Sequence, residues 1–396
     1  MHIVIDARMY GAKQTSGIGR YVQRLTEQLF ELDKKNQYSL LLNQAGRDTF
    51  QSPRADIKVV PADFGWYSYA EQINIPRILK KTKYDVYHCP HFNLPLLVHR
   101  DTVVTIHDLT PKFFPGPRVS RSLVRRIGYG VTVRHALTAS KKIIAVSNFT
   151  KEMITKNYPK VEPEKITVIQ QGIDSRYRPV TDVSIREQIK KKYGITSRYI
   201  LYVGVWRDHK NIETLVSAYE QLSSNLKQQY QLVLAGQADQ NYPEIKKRVS
   251  ASPARDRIIT PGFIDQNDLP ALYSEAMVFV LPSFIEGFGL VAGEAAACGT
   301  PVVASETSAV KEVLGDGALY FNPHDSAALA RAVEMVLTNR DSVEAMITKS
   351  RAAITKFIWQ KTAQDTLQLY QSVASRWEFS FFKTNRKKCG IIVRHF

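Results

Sequence analysis

The sequence predicts two doubly wound α/β domains facing a cleft, on three observations. The chain has 396 residues, too long for one ordinary core and suited to two. Short apolar runs alternate with amphipathic helical stretches, the pattern of a parallel sheet covered by helices. That pattern breaks once, around Gln171–Val180, where Gly172 and Pro179 interrupt it, and then restarts.

In order, His2–Asp6 reads as the first strand, followed by a Gly-rich loop and a helix from about Ile18 to Leu32. Tyr38–Leu42, Asp85–His88, Thr102–His107 and Lys142–Val146 read as further strands. After the break, Tyr199–Gly204, Gln231–Ala235, Arg257–Thr260, Val278–Leu281 and Pro301–Ala304 are strands. Asn211–Ser223, Leu269–Ser274, Gly289–Cys298, Ala327–Leu337 and Trp359–Ser375 are helices, and Gly299 fits a helix C-cap. The expected domains are 1–175 and 176–358. Residues 376–396 form a tail mixing Phe379, Phe381 and Phe382 with Lys383, Arg386, Lys387 and Lys388.

Hydrophobic residues make up 44% and charged residues 23%, which indicates a folded chain. The formal net charge of +17 favours polyanionic partners: nucleotide diphosphates, anionic membranes or nucleic acid. Cys89, Cys298 and Cys389 are far apart, so a disulfide framework or zinc site is not expected and a reducing compartment is. The opening residues lack the apolar core of a signal peptide, and no apolar run has the length to cross a bilayer. These features predict a cytoplasmic protein, soluble or peripheral on a membrane.

The strongest chemical signal is Pro282-Ser283-Phe284-Ile285-Glu286-Gly287-Phe288-Gly289-Leu290, followed by Glu294. A Gly-rich turn lies between a strand and a helix, with one carboxylate before it and one after. The backbone N–H groups of such a turn, at a helix N-terminus, suit a diphosphate. Glu294, just past the first helical turn, suits a ribose diol, and Glu286 suits the sugar side. The plainer reading, two solvated glutamates around a tight turn, fits an isolated Glu better than this whole run.

At these residues the chain resembles retaining glycosyltransferases of family 4, whose GT-B fold has two Rossmann-like domains. The run from Glu286 to Glu294 matches the family's E-x7-E signature. Asp6 through Gly17-Ile18-Gly19-Arg20 resembles its first strand and glycine loop. Val146–Thr150 and Gln171–Asp174 resemble its interdomain elements. Tyr202–Asn211 resembles its phosphate-binding loop and Gly262-Phe263-Ile264 its nucleobase loop. Two departures stand out: Val291-Ala292-Gly293 where many members have Pro-Val-Leu, and Val205 where many have Arg. A helical Gly293 costs about 1 kcal/mol relative to Ala, and reflects close packing against a donor or drift.

The resemblance implies an acceptor-side first domain that the final helix, Trp359–Ser375, rejoins, a nucleotide-sugar-binding second domain, and catalytic roles for Glu286, His107, Lys210 and Arg207. It implies donor contacts from Gly17, Gly19, Gly287, Phe288, Gly289, Leu290, Glu294, Phe263 and Ile264. Arg20 and His91 fall on the acceptor side. Each has a plainer alternative: a surface Lys210, a buried structural His107 bonded to Asp108, a simple strand–helix turn at Gly17. Gly17-Ile18-Gly19 is not a dinucleotide fingerprint, because Val22 occupies the third glycine's place. His88 and His91 flank Cys89-Pro90 without a full ligand set and read as packing or acceptor-side groups. The chain contains no Asp-x-Asp, so Lys210, Arg207 and helix N-termini would supply the positive charge. No metal and no cofactor beyond the nucleotide-sugar donor are expected.

Arg118, Arg121 and Arg125 share one helical face by spacing. A solvated face is the commoner reading, and a patch for anionic lipid headgroups the sharper one. The expected partners are a nucleotide sugar, a glycan or lipid-linked acceptor and an anionic membrane surface, with no nucleic acid. Gly17–Arg20, Trp206–Asn211 and Thr105–Leu109 look most like bacterial mannosyltransferases, so transfer of mannose from GDP-mannose is the expected reaction. Two rivals remain: a nucleotide-sugar hydrolase or epimerase on the same fold, and a non-enzymatic polyanion binder.

Overall fold

The computed structural model describes residues 1–11, 17–120, 122–307 and 309–374, and at 118 and 119 only the backbone. Arg121, the side chain of Arg118 and the segment 376–396 therefore lie outside what is described.

The first sheet holds β1 (His2–Asp6), β2 (Gln37–Leu42), β3 (Lys58–Pro61), β4 (Val86–Cys89), β5 (Thr102–Ile106), β6 (Lys142–Ala145) and β7 (Ile166–Val168). The second holds β8 (Arg198–Val203), β9 (Tyr230–Ala235), β10 (Ile258–Gly262), β11 (Val278–Leu281), β12 (Val302–Ser305) and β13 (Ala318–Phe321). The orders are β3-β2-β1-β4-β5-β6-β7 and β10-β9-β8-β11-β12-β13. The recorded strand pairs are all parallel. Most central strands are buried on both faces, which is why they read as continuous apolar runs. Both sheets reverse direction of growth at their first strand, between β1 and β4 and between β8 and β11. A crevice opens at the carboxyl ends of the strands at such a switch point. The architecture is the expected two-domain α/β fold.

Three strands were not legible. β3 is an edge strand ending in Pro61, where a missing N–H is tolerated. β7 has three residues and β13 has four. All three are only partly buried, so none forms the continuous apolar run that marks the equally short β4, β6, β11 and β12.

Two connections join the domains, and they cross. Ile173 N donates to Phe357 O at 2.9 Å, and Thr362 Oγ1 donates to Gln170 O at 2.8 Å. A Cβ at Gly172 would overlap the Trp359 backbone, so only glycine allows this crossing. The helix Trp359–Ala374 then returns to the first domain. Trp359, Ala363, Leu369, Tyr370 and Val373 join its core beside Tyr21, Leu25 and Leu29 of the helix Gly17–Leu32. Gly293 is likewise a packing residue: an added Cβ would lie 2.6 Å from Ile173 Cδ1 of the interdomain segment.

One helical expectation is corrected. Pro117–Ser120 and Leu123–Ala139 are separate helices. Ser122 between them is extended, and its side chain caps the second helix by accepting from Arg125 N at 3.4 Å. A serine able to bond the backbone in a non-helical conformation favours a cap over continuation. Arg118 and Arg125 therefore do not share a helical face.

Candidate active site

The strand–turn–helix run of the second domain sits at the switch point. β11 ends at Leu281, the turn follows, and the helix Leu290–Ala297 begins after Gly289. Gly289 has φ +84°, and a Cβ there would also press on Val310 at 2.6 Å. As N-cap, Gly289 carries no side-chain oxygen to occupy the helix's leading N–H groups. A Cβ at Gly287 would overlap the His107 carbonyl oxygen, so the turn passes directly against the end of β5 in the other domain. The Gly287 carbonyl accepts from Ser147 Oγ at 2.6 Å and from Thr150 Oγ1 at 3.3 Å, both of the first domain.

Glu286 is pinned on one oxygen. Lys210 Nζ and Ser283 Oγ both donate to Oε1, at 2.7 and 2.6 Å. Burial pushes this carboxyl up, but Lys210, Ser283 and the nearby His209 together hold it below its ordinary value. Lys210 ends a short 3-10 turn beyond β8, and the left-handed Asn211 behind it is buried. Asn211 Nδ2 donates to Pro282 O at 3.0 Å and Pro323 O at 2.8 Å, which locks the Lys210 loop onto the Glu286 turn. Arg207 lies apart from this pair. Its side chain is 47% exposed and donates through Nε to Asp239 at 3.0 Å.

Glu294 has a different neighbourhood. It is buried and accepts from Arg20 of the first domain and, at 3.3 Å, from Tyr273. Burial raises its carboxyl above the ordinary value, against the opposing pull of Arg20 and two tyrosines. Arg20 thus stands beside the carboxylate that the resemblance assigns to the donor.

On the opposite wall, His107 follows β5 and faces the cleft. Its Nε2 bonds the Pro90 carbonyl at 3.0 Å, and its Nδ1 meets Gln171 Nε2 at 3.2 Å. The Tyr21 ring packs edge-on at 4.8 Å. Burial lowers His107 to about 4, so the ring is neutral at pH 7. Asp108 beside it caps the next turn by accepting from Thr110 N at 2.8 Å. His88 is a packing residue between Tyr370 and Thr105. His91 is bonded to Asn93 at 3.0 Å and lies against Tyr67.

Of the other expected contacts, Phe263 is 51% exposed at the end of β10, whereas Ile264 is buried in the core. Phe288 lends the turn its backbone, while its ring packs on Phe357 at 5.4 Å inside the core. Leu290 packs against the same core. Gly17 opens the helix Gly17–Leu32 with no described residue packed where its side chain would be, and Gly19 is buried two residues on.

Sequence reading missed three participants. Ser283 fixes Glu286, and its position three residues ahead of that glutamate was the available signal. Gln171 holds His107, and its Oε1 is buried without a hydrogen-bond partner. Gly236, at φ +126°, allows β9 to approach Gly204 so closely that a Cβ would overlap the Gly204 carbonyl. Gly204, Gly236 and Gly262 thus stand at the ends of three adjacent strands; the Tyr202 hydroxyl and the Gly204 carbonyl fill the side-chain space at the first two. Among the described residues, no group of three His, Cys, Asp or Glu could hold a metal ion, and no helix is long and apolar enough to cross a membrane.

Two family models match the two halves: Glycosyltransferase Family 4 over residues 15–177 and Glycosyl transferases group 1 over residues 185–353. The chain is also 30% identical over 299 residues to the O-antigen chain mannosyltransferase B of Escherichia coli, covering 74% of this chain and 76% of that protein. This chain is a family-4 glycosyltransferase. The transferase is 27% identical to the O-antigen chain mannosyltransferase RfbU of Salmonella typhimurium, over 70% of this chain and 72% of that one. Its fold matches sucrose-phosphate synthase from Thermosynechococcus elongatus with a TM-score of 0.76 at 22% identity, over 95% and 99% of the two chains. Anabaena HepE in complex with UDP and glucose matches with a TM-score of 0.74 at 18% identity, over 94% and 100%. These solved neighbours share the GT-B arrangement of two domains about a cleft.

Proposed function

We propose that the transferase moves a mannosyl group from GDP-mannose to a growing glycan or lipid-linked acceptor, with retention at the anomeric carbon and without a metal ion, on the cytoplasmic side of a membrane. The observation that carries the chemistry is the Lys210–Glu286 pair at 2.7 Å, set at the switch point beside the Gly287–Gly289 turn and across from His107. Mannose as the transferred sugar is supported by the mannosyltransferase relatives.

In this reading the diphosphate lies against the turn's N–H groups, with Lys210 as its cation. As the bond from C1 to the phosphate oxygen breaks, negative charge grows on that oxygen, and a preplaced cation stabilises it most at that moment. The acceptor oxygen forms the new bond to C1 on the same face, and its proton passes to the departing phosphate oxygen. Glu286 serves as a fixed negative charge that aims Lys210 and faces the developing positive charge of the sugar ring. A carboxylate already bonded to Lys210 and Ser283 is a poor nucleophile. His107, neutral and held at both nitrogens, orients rather than titrates. Glu294 takes the ribose diol, and Phe263 borders the base.

A panel of nucleotide sugars in thermal unfolding tests the donor, since a ligand of the native state raises its stability. GDP-mannose should give the largest shift. Transfer to a glycan acceptor should then persist in excess chelator and yield the α-linked product. Release of free mannose with or without acceptor would favour a hydrolase. Activity lost with chelator and restored by Mg²⁺ or Mn²⁺ would overturn the metal-independent reading. Salt-sensitive DNA binding without any nucleotide-sugar effect would favour a polyanion binder.

A further inference from the structure

The helix Leu123–Ala139 is unusual in what it leaves outside. Leu123, Val124, Ile127 and Val131 are 69, 76, 58 and 48% exposed. At 3.6 residues per turn these four fall within one stripe about 100° wide. Val133 and Ala136, on the opposite side, are buried in the domain core. The apolar stripe is thus not a core face displaced by a turn; it is a second apolar face. Arg125 and Arg126 are exposed on either side of it, and Arg134 is exposed within its continuation. The loop before β5 extends the patch. Leu97 there is 70% exposed, and His135 Nε2 ties that loop to the helix at 3.1 Å from both Pro95 O and Val98 O.

Charge identifies the occupant. From Leu109 to Lys151 the chain carries no Asp or Glu, yet it carries nine Lys and Arg. Apolar side chains rimmed by arginines, with no acidic residue nearby in the sequence, fit an anionic surface with an apolar interior beneath it. A protein partner buried against the same stripe would not require so long an acid-free segment.

We infer that this helix is a membrane-docking element: Leu123, Val124, Ile127 and Val131 enter the headgroup–acyl boundary of an anionic bilayer while the flanking arginines pair with lipid phosphates. The inference deepens the reading of a lipid-linked acceptor. The inner side of the same helix reaches the cleft through two rings: Tyr129 packs on Phe92 at 5.1 Å, and Phe92 on His91 at 4.0 Å. An acceptor anchored in the bilayer would present its glycan one helix-width from the acceptor wall.

Flotation with vesicles tests this without nucleotide sugar or acceptor, so it stands apart from the test of transfer. The full chain should float with equimolar phosphatidylglycerol and phosphatidylcholine at low salt, and stay behind with phosphatidylcholine alone. The double variant Val124→Asp/Ile127→Asp should partition at least about tenfold less. It should keep its unfolding temperature and its nucleoside diphosphate affinity, because both positions are exposed and remote from the donor turn. Arg126→Ala should weaken partitioning by about fivefold. Flotation of the double variant equal to that of the unmodified protein would overturn the proposal and move binding elsewhere in the chain. So would absence of flotation with either vesicle, or self-association through the stripe that the double variant abolishes while vesicles are ignored.

Discussion

Glu286 and Glu294 come from the same short stretch, and each is paired with a cation, yet the two pairs differ in kind. Glu286 meets Lys210 of its own domain, is braced by Ser283, and sits below its ordinary pKa. Glu294 meets Arg20 of the other domain and sits above its ordinary pKa. The first pair has both its charges in one domain, joined there by Asn211 and Ser283, although the adjoining turn also bonds Ser147 and Thr150 across the cleft. The second bridges the cleft, so its counter-ion is only as fixed as the approach of the domains. Burial penalises both carboxylates; at Glu286 the pull of Lys210, Ser283 and His209 outweighs it, and at Glu294 that of Arg20 and two tyrosines does not. A fixed charge suits the bond-breaking step, and a bridging one suits a contact that forms as the donor arrives.

The largest effects should come from breaking the pair within one domain. Lys210→Ala is expected to lower kcat/KM by roughly one to three orders of magnitude, the scale for a lost electrostatic stabiliser. Glu286→Ala should act mainly on kcat and leave nucleoside diphosphate affinity nearly intact. Steady-state kinetics beside titration calorimetry with the sugar-free nucleotide read both. Near-normal kinetics for Lys210→Ala would make it a structural ion-pair partner and end the contrast.

Breaking the bridging pair should act on binding and folding instead. Glu294→Ala should weaken nucleoside diphosphate binding by about tenfold to a hundredfold, the worth of a hydrogen bond to a charged group. Arg20→Ala leaves a buried carboxylate without its cation and should cost about 3 kcal/mol of stability, measured by denaturant unfolding. Equal loss of nucleotide affinity in the Glu286 and Glu294 variants would show that the two carboxylates are not divided between sugar and ribose.

The same contrast separates what the sequence discloses from what it hides. The Glu286 turn was legible because its parts are neighbours in the chain: a strand, two glycines and a helix read in order. Lys210 was legible for the same reason, following a strand end. Arg20's partner was not, since Glu294 lies far along the chain and in the other domain. Gly204, Gly236 and Gly262 come together from three strands, and nothing local marks Gly236. Gly172 and Gly293 look alike in sequence to any helix or loop glycine, yet one clears Trp359 and the other clears Ile173. The sheets were legible wherever strands are buried on both faces, and β3, β7 and β13 are only partly buried. The break at Ser122 was hidden by arginines whose spacing fits a helix as well as two.

Acidification sharpens the comparison at smaller amplitude. Glu294, raised, takes up its proton above the ordinary carboxyl value, whereas Glu286, lowered, keeps its charge below it. For Glu286 the sign is that of a depressed acid: its stabilising contribution is present above the unfolded pKa and is lost as pH falls through the lower, folded one. Nucleotide affinity should therefore decline on acidification before the Lys210–Glu286 pair is neutralised. In the native state His107 titrates at about 4 and His209 at about 3, so neither charges ahead of Glu294. Asp108 is also raised by burial, which is why the check is a variant: Glu294→Gln should flatten the decline in calorimetry. A decline unchanged in Glu294→Gln would assign it to Asp108 or to Asp208, which burial also raises in the turn that carries Lys210.

The smallest effect is expected at Arg207, and it decides whether the Lys210–Glu286 pair acts alone. Arg207 lies three residues before Lys210 and could in principle reach the same diphosphate. In the structure its side chain is half exposed and turned to Asp239 at 3.0 Å, away from the Glu286 turn. An exposed ion pair of this kind contributes about 0–1 kcal/mol, because water screens it and two long side chains must be held still. Release from Asp239 therefore costs little, but a mobile, hydrated guanidinium also stabilises a leaving phosphate less than a preplaced ammonium does. Arg207→Ala should lower kcat/KM by less than about tenfold, a small fraction of the loss at Lys210. Asp239→Ala sharpens the test by freeing Arg207 without removing it. Kinetics unchanged in Asp239→Ala and little changed in Arg207→Ala leave Lys210 as the cation of the reaction. A loss at Arg207 as large as that at Lys210 would mean that Arg207 leaves Asp239 for the diphosphate when donor binds, and the charge that drives bond cleavage would then be shared between a fixed residue and a recruited one.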